Sequence, residues 1–396
     1  MPNAYQAGRH FLQIPGPSNV PGRILRAISM PTIDHRGPDF GAMARPLLED
    51  LKKIFKTTGP VIVYPASGTG AWEAALTNAL SSGDKVLMFE TGHFATLWHE
   101  MATRLGLDPE FVPGDWRRGA DPDVVEAKLA EDREHKIKAV CVVHNETSTG
   151  VTSRIGEIRK AMDRANHPAL LFVDTISSLA SIDYRHEEWG VDVTVSCSQK
   201  GLMLPPGLGF TATSDKAMKA AESSDFPKSY WRWDSMVGPN KTGYFPYTPA
   251  SNMLFGLREA IDMLMEEGLD AVFARHARHG EATRRAVRAW GLEIPGGLEI
   301  QCQDEREYSG VLTAVRVPDG FNADELRKVI LENFDMSLGN GLSKVQGKVF
   351  RIGHLGDFND IMLCGTLSGV EMGLGLAGIP HNKGGVQAAM DFLKQG

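Results

Sequence analysis

The sequence predicts an α/β fold in which helices cover both faces of a mostly parallel sheet, followed by a smaller α+β domain. Two observations support this prediction. Apolar, β-branched runs alternate with helical patterns through the first two thirds of the chain. From about Leu257 the pattern changes to long amphipathic helices followed by a few more strands.

The predicted strands share one feature, which is a small polar or glycine-bearing turn at their end. They lie in "GPVIVYPAS", "KVLMFETG", "IKAVCVVHNETSTG", "PALLFVDTISS" and "VDVTVSCSQKG". Helical patterns follow the first three, in "GAWEAALTNAL", "HFATLWHEMATRLG" and "IGEIRKAMDRA". Because open α/β sheets bind ligands at the carboxyl ends of their strands, we expect the functional residues at these turns.

The C-terminal part predicts a second domain. Long helices in "LREAIDMLMEEGLDAVFARHARHGEATRRAVRAWG" precede the strand "GVLTAVRVP" and the helix "NADELRKVILENF". We therefore predict an N-terminal arm over residues 1–20, a large domain over 21–265 and a small domain over 266–396.

Composition excludes several functional classes. The chain has 396 residues, 42% hydrophobic and 23% charged, with a net charge of −7. No apolar run approaches the roughly 18 residues of a membrane span, and the charges are dispersed, so neither a membrane nor nucleic acid is an expected partner. The four cysteines are far apart and the N-terminal stretch lacks a secretory pattern, so we expect a cytoplasmic protein without disulfides.

The turn Ser67-Gly68-Thr69-Gly70, between a strand and a helix, is a candidate phosphate cup. Backbone N–H groups at a helix start, together with hydroxyls, favour an anion. The turn lacks the dinucleotide and P-loop fingerprints, so a plain glycine turn is the competing interpretation.

Asp174 and Lys200 end two further strands. The acid could be a helix N-cap, a metal ligand or a counter-charge for a cation. A lysine held in a half-buried cleft has a depressed pKa and becomes nucleophilic. Pyridoxal phosphate is one cofactor that requires a lysine, a carboxylate for its ring nitrogen and a phosphate cup together.

Seven motifs in order carry a resemblance to a known family. They are "IPGPSNVP", "ASGTGAWEAAL", "HNETSTGV", "LFVDTISS", "SQKGLMLPPGLGF", "GYFPYTP" and "VFRIGHLGD". The chain resembles the class V, fold-type I pyridoxal-phosphate aminotransferases, in particular the serine/alanine/aspartate–glyoxylate aminotransferases. The resemblance implies a seven-stranded, mostly parallel sheet in the large domain and pyridoxal 5'-phosphate as cofactor.

The resemblance assigns the cofactor contacts motif by motif. Lys200 corresponds to the lysine that holds the cofactor through an imine and transfers the proton. Its neighbour Gln199 and the turn Ser67, Gly68 and Thr69 correspond to the phosphate cup.

Three further residues correspond to contacts with the cofactor ring. Asp174 matches the partner of the ring nitrogen, and Thr147 matches the hydroxyl on the phenolic oxygen. Phe94 matches an aromatic side chain that stacks on the ring, with plain core packing as the alternative.

Other residues are implied to act across a subunit interface. Tyr247 and Thr248 resemble a segment that reaches the phosphate of a neighbouring subunit, and Arg36 resembles a substrate-proximal arginine contributed by the partner. His35 stands where some members carry tyrosine, and an interface loop is the competing interpretation for both it and Arg36. The resemblance thus implies a homodimer or a higher homo-oligomer with shared sites.

Arg351 matches the family's clamp for the substrate α-carboxylate, for which a planar guanidinium is suited. The implied reaction moves the amino group of a small L-amino acid to glyoxylate, giving glycine and a 2-oxo acid. L-Serine and L-aspartate rank close together as donors, with alanine as an alternative. An aspartate donor would need a further cation, for which His35, His93 and Arg232 are candidates.

Other functional classes were weighed against this one. "HEMAT" is not a zincin motif and "HARH", with His276 and His279, predicts an exposed basic helix face, so no metal site is expected. A desulfurase or lyase of the same fold is the nearest alternative, although none of the cysteines lies in a glycine- or serine-rich loop. An NAD-dependent dehydrogenase and a catalytically silent binding protein are the remaining alternatives.

Overall fold

The computed structural model describes residues 7–395. Its strands are β1 (Phe11–Gln13), β2 (Val61–Ala66), β3 (Lys85–Phe89), β4 (Asp108–Val112), β5 (Ile137–Val143), β6 (Asn145–Glu146), β7 (Val151–Thr152), β8 (Leu170–Asp174), β9 (Val193–Cys197), β10 (Gly207–Thr213), β11 (Glu299–Ile300), β12 (Leu312–Arg316), β13 (Met336–Asn340) and β14 (Val349–Gly353). Its α-helices are α1 (Gly22–Ile28), α2 (Pro38–Phe55), α3 (Gly68–Ala79), α4 (His93–Leu105), α5 (Pro122–Glu131), α6 (Ile155–Arg164), α7 (Asp215–Ala221), α8 (Trp233–Asn240), α9 (Ser251–Glu267), α10 (Leu269–Gly291), α11 (Ala323–Phe334), α12 (Asp360–Leu376) and α13 (Gly385–Leu393).

The large sheet has seven strands in the order β2-β10-β9-β8-β5-β3-β4. Strand β10 runs antiparallel to β2 and β9, whereas the other neighbouring pairs are parallel. The predicted mostly parallel, seven-stranded sheet is confirmed. Because the parallel strands end at one edge, their terminal residues are brought together there.

Both faces of the central strands of this sheet are buried, which explains their high apolar content. In β2, Val61 and Val63 pack into one hydrophobic cluster, while Ile62 and Tyr64 pack into another on the opposite face. The same alternation holds in the central strand β8, where Leu171 contributes to the first cluster and Phe172 to the second.

The second sheet has five strands in the order β1-β13-β14-β12-β11. Strand β1, from the predicted N-terminal arm, pairs parallel with β13, with Phe11 opposite Met336. The sequence did not predict this pairing, because three residues are too few to show a periodic pattern. The arm is thereby fixed to the C-terminal domain.

Helix α10 joins the two cores. Val272, in its first turn, packs into a cluster of the large domain, whereas Ala282 and Trp290 pack into the cluster built on the small sheet. The boundary that we place between residues 265 and 266 stays a prediction.

One prediction about α10 is wrong. His276 and His279 are buried, not part of an exposed basic face. His276 Nδ1 lies 2.7 Å from the Val272 carbonyl oxygen, and His279 Nε2 lies 2.9 Å from Asp360 Oδ1. Other elements pack around more of α10 than around a typical surface helix. The basic residues in its sequence therefore did not indicate which side faces solvent.

Within residues 7–395 no helix is long and apolar enough to cross a membrane. The same residues contain no group of His, Cys, Asp and Glu side chains that could hold a metal ion.

Candidate active site

Most of the residues predicted to bind the cofactor line a single cavity. It lies at the carboxyl ends of β2, β5, β8 and β9, where the turns after these strands converge. The lining residues are Ser67, Gly68, Thr69, Trp72, Phe94, Val143, Asn145, Thr147, Asp174, Ile176, Gln199 and Lys200. The structure therefore brings together side chains that are up to 133 positions apart, from Ser67 to Lys200.

The predicted phosphate cup is the first turn of α3. Ser67 takes the N-cap position in an extended conformation, its side chain caps no backbone N–H of the described chain, and the first turn carries no acid. The positive end of the helix dipole thus faces the cavity without a neutralising side chain. A Cβ at Gly68 would lie 2.4 Å from Ile176 Cδ1, so glycine permits this close approach.

Asp174 is held by two hydrogen-bond donors. The Ile176 N–H donates to its Oδ1 at 2.6 Å, and the Trp72 indole N–H donates to its Oδ2 at 3.0 Å. Burial raises the pKa of Asp174 to about 7, so the ionised form needs a nearby cation. Trp72 was missed by the sequence analysis, although it follows Thr69 by three positions on the same helix face.

Lys200 lies in the loop after β9 and is buried. Its Nζ donates a hydrogen bond of 2.9 Å to the carbonyl oxygen of Pro15, and burial lowers its pKa. A lysine with a lowered pKa has a larger fraction of neutral, nucleophilic amine at neutral pH.

The N-terminal arm forms one wall around this lysine, which the sequence analysis did not anticipate. Ser18 Oγ donates to the Lys200 carbonyl oxygen at 2.9 Å, and Ser18 N–H donates to the Gln199 carbonyl oxygen at 3.0 Å. Gly16 has φ +114°, and a Cβ there would lie 2.4 Å from Lys200 Nζ. The motif "IPGPSNVP" had indicated only the family, and no residue of it had been given a role.

Arg351 projects from β14 toward the cavity wall. Its Nε donates to the Asn340 carbonyl oxygen and its Nη1 to the Thr147 carbonyl oxygen, both at 2.8 Å. Burial lowers the pKa of Arg351 to about 10, which still leaves it charged at neutral pH. Two backbone contacts orient the guanidinium and leave further N–H groups for an anion.

Besides Arg351, four predicted site residues do not line this cavity in the described chain. Arg36 and Thr248 are exposed, and His35 is half-buried with no hydrogen-bond partner for Nε2 among residues 7–395. Tyr247 donates its hydroxyl to the Val63 carbonyl oxygen at 2.6 Å. A single chain therefore does not bring these side chains to its own cofactor residues.

The two other candidates for side-chain recognition are engaged elsewhere. Arg232 forms an ion pair with Asp234 on an exposed segment. His93, next to Phe94, places Nδ1 2.9 Å from Ser343 Oγ of the small domain.

The residues present fit pyridoxal phosphate. Gln199 Oε1 is buried and lacks a hydrogen-bond partner within residues 7–395, so its amide group is available beside the phosphate cup. Each Asp174 oxygen retains acceptor capacity for a protonated ring nitrogen. Phe94 and Ile176 supply apolar surface, and Lys200 supplies the amine.

Comparison with known proteins identifies the family. Residues 26–342 match the aminotransferase class-V family. The chain is 48% identical to a serine–glyoxylate aminotransferase of Methylorubrum extorquens, covering 98% of this chain and 97% of that protein. It is 46% identical to an L-aspartate–glyoxylate aminotransferase of Paracoccus denitrificans, covering 96% of each.

A solved structure agrees with the fold. The pyridoxamine–pyruvate aminotransferase of Mesorhizobium loti superposes with a TM-score of 0.89 at 25% identity, covering 99% of each chain. The predicted fold is confirmed, and this protein is a member of the class-V aminotransferase family.

Proposed function

We propose that this chain is a transaminase that moves the amino group of L-serine or L-aspartate to glyoxylate, giving glycine and a 2-oxo acid. The observation that carries the proposal is the convergence of Lys200, Asp174 and the α3 N-terminus on one cavity, with Arg351 beside it. Relatives named for serine and for aspartate, at 48% and 46% identity, support both donors nearly equally.

Three side chains have separate roles in this reaction. Bound pyridoxal phosphate, the cofactor of this family, supplies an electron sink that lets the α carbon of an amino acid lose its proton. Lys200 Nζ would accept the proton from the α carbon of the donor and, when glyoxylate is aminated, would deliver a proton to the carbon that becomes the α carbon of glycine. Asp174 holds the ring nitrogen protonated, and Arg351 binds the α-carboxylate that both donors and glyoxylate share.

We further propose that the active species is at least a homodimer. Arg36 and Thr248 are exposed and do not line the cavity of their own chain, as expected for groups that act in a neighbouring subunit. Size-exclusion chromatography with light scattering tests this proposal, and a fully active monomer would contradict it. We also place the enzyme in the cytoplasm, where the four free cysteines suit reducing conditions.

A desulfurase receives no support from the cysteines. None of the four lines the cavity, and Cys141, Cys197 and Cys302 are buried. Burial raises the pKa of the Cys141 thiol, which opposes formation of a reactive thiolate.

The decisive experiment compares serine, aspartate and alanine as donors, each with glyoxylate, by measuring glycine formation. Serine or aspartate should give the highest kcat/KM. Because Arg232 is already paired with Asp234, His93 and His35 are the variants to test if aspartate leads. Absence of glycine with every donor would overturn the proposal.

A further inference from the structure

We propose that Glu146 is a positioning residue of the cofactor site, which fixes the first turn of α4, and with it Phe94, against the wall that carries Thr147. This inference rests on the proposed function, because the site it orders is the pyridoxal-phosphate cavity. Glu146 itself does not line that cavity and has been given no role so far.

The carboxylate of Glu146 is fully buried and surrounded by donors. Its Oε1 accepts hydrogen bonds from Ser148 N–H at 3.0 Å and from Ser148 Oγ at 2.6 Å, and a longer one from Phe94 N–H at 3.4 Å. Its Oε2 accepts the Ala95 N–H at 3.0 Å. The carboxylate thus bridges two chain segments.

Ser148 completes the arrangement. Its hydroxyl oxygen accepts the His93 N–H at 2.9 Å, so Glu146 and Ser148 together satisfy the first three N–H groups of α4. Within residues 7–395 Glu146 forms no salt bridge, so the N-terminus of α4 and the Ser148 N–H and hydroxyl groups are what stabilise its carboxylate. Removing that charge would release the helix start.

The close approach requires glycine at position 92. A Cβ on Gly92 would lie 2.3 Å from Glu146 Cγ and 2.5 Å from Ser148 Oγ. The motif "ETGH" before α4 and the motif "HNETS" after β5 therefore pack together through a residue without a side chain.

Glu146, Ser148 and the first turn of α4 lie beside the cavity, which indicates a role in the cofactor site in addition to structural stability. Asn145 and Thr147, on either side of Glu146, line the cavity, and so does Phe94, which α4 carries. Thr147 also accepts the hydrogen bond from Arg351. Glu146 acts in the same region: burial is the main cause of the raised pKa of Asp174 and Glu146 raises that pKa further, while at Arg351 Glu146 opposes the lowering of the pKa by burial.

The small domain offers a matched control. Glu371 likewise places a carboxylate at a helix start, where it accepts N–H groups of Gly384 and Val386 at 3.1 Å and the Trp290 indole N–H at 2.7 Å. It lies on α12, at the start of α13, and does not line the cavity. A purely structural carboxylate of this kind should affect folding alone.

The experiment compares wild type, Glu146→Gln and Glu371→Gln as full-length protein, with three measurements. These are the dissociation constant of pyridoxal phosphate from visible absorption, the pH dependence of that absorption, and the melting temperature without cofactor. We expect both variants to lose stability, whereas only Glu146→Gln should weaken cofactor binding, by about tenfold for one lost charge-assisted contact, and shift the pH dependence.

A milder variant covers the case in which Glu146→Gln does not fold. Ser148→Ala removes the hydroxyl shared by Glu146 and His93 N–H, and should weaken cofactor binding several-fold. Cofactor binding unchanged in both Glu146→Gln and Ser148→Ala, or weakened equally in Glu371→Gln, would overturn the inference. Failure of the wild-type protein to bind pyridoxal phosphate would overturn the proposed function as well.

Discussion

The turns at the carboxyl edge of the large sheet differ sharply from the segments that carry Arg36 and Thr248. At the sheet edge, Lys200 and Asp174 are buried and each is held by hydrogen bonds within the chain. Arg36 and Thr248 are exposed and lie apart from the cavity lining. Both groups of residues were assigned to the same active site by resemblance.

This contrast distinguishes side chains that are positioned within one chain from side chains that are exposed on its surface and could contact a second chain. Parallel strands bring their end residues together regardless of any partner, so one chain already gathers Lys200, Asp174 and the start of α3 around one cavity. Within residues 7–395 the side chains of Arg36 and Thr248 form no hydrogen bond, and the Arg36 backbone N–H donates only to the nearby Asp34. We therefore predict that the buried group acts within one chain and the exposed group acts across an interface.

The largest effect should come from the buried lysine. Lys200→Ala removes the amine that binds the cofactor and moves the proton, so we expect kcat to fall by at least about 1000-fold while the protein stays folded. Lys216→Ala is the matched control, since Lys216 Nζ also donates to a backbone carbonyl, that of Ala169, but lies outside the cavity. Steady-state glycine formation checks both, and appreciable turnover by Lys200→Ala without added amine would contradict the assignment.

A smaller effect is expected at Arg351. Its replacement by alanine should lower kcat/KM for every donor. The loss should correspond to about 2–4 kcal/mol of activation free energy, the usual cost of losing a buried, hydrogen-bonded charge. Arg117→Ala serves as control, because Arg117 Nε also binds a backbone carbonyl, that of Gln301, away from the cavity. A loss confined to one donor would show that Arg351 recognises a side chain instead.

The comparison itself is tested at Arg36, where we expect about a tenfold loss of kcat/KM in Arg36→Ala. Refolding equal amounts of Arg36→Ala and Lys200→Ala together produces hybrid dimers that contain one subunit of each variant. If Arg36 acts across the interface, each hybrid has one site with both residues, and activity should recover to about a quarter of wild type. If the mixture is no more active than its Arg36→Ala subunits are by themselves, Arg36 acts in the site of its own chain or in no site.

The last effect is on stability and not on activity, and it concerns the pH dependence of stability without cofactor. Native Asp174 keeps its proton up to a pKa of about 7, whereas the unfolded chain releases it near 3.8. Between these values the native state binds more protons, so wild-type stability falls as pH rises. The melting temperature of Asp174→Asn relative to wild type should therefore increase between about pH 4 and pH 7, and a constant difference would contradict the raised pKa.

Much of the buried site could be predicted from the sequence. Strands β2, β5, β8 and β9 are rich in apolar residues, and a polar side chain of the cavity ends each strand or follows it within two positions. The order of the motifs then identified the cofactor chemistry. Trp72 was also within reach, since it lies one helical turn after Thr69.

Contacts between distant segments could not be predicted in this way. Nothing local indicates that Pro15 accepts a hydrogen bond from Lys200, 185 positions later, or that β1 adds to the small sheet. The burial of His276 and His279 likewise depends on which elements pack around α10, which a charged sequence pattern does not show.

The most direct test of the account is to locate the cofactor on the protein. The holoenzyme is reduced with borohydride, digested and analysed by peptide mass spectrometry. We predict one phosphopyridoxyl group, on the Lys200 side chain in the peptide containing "SQKGL". Modification of a different lysine, or of none, would contradict it.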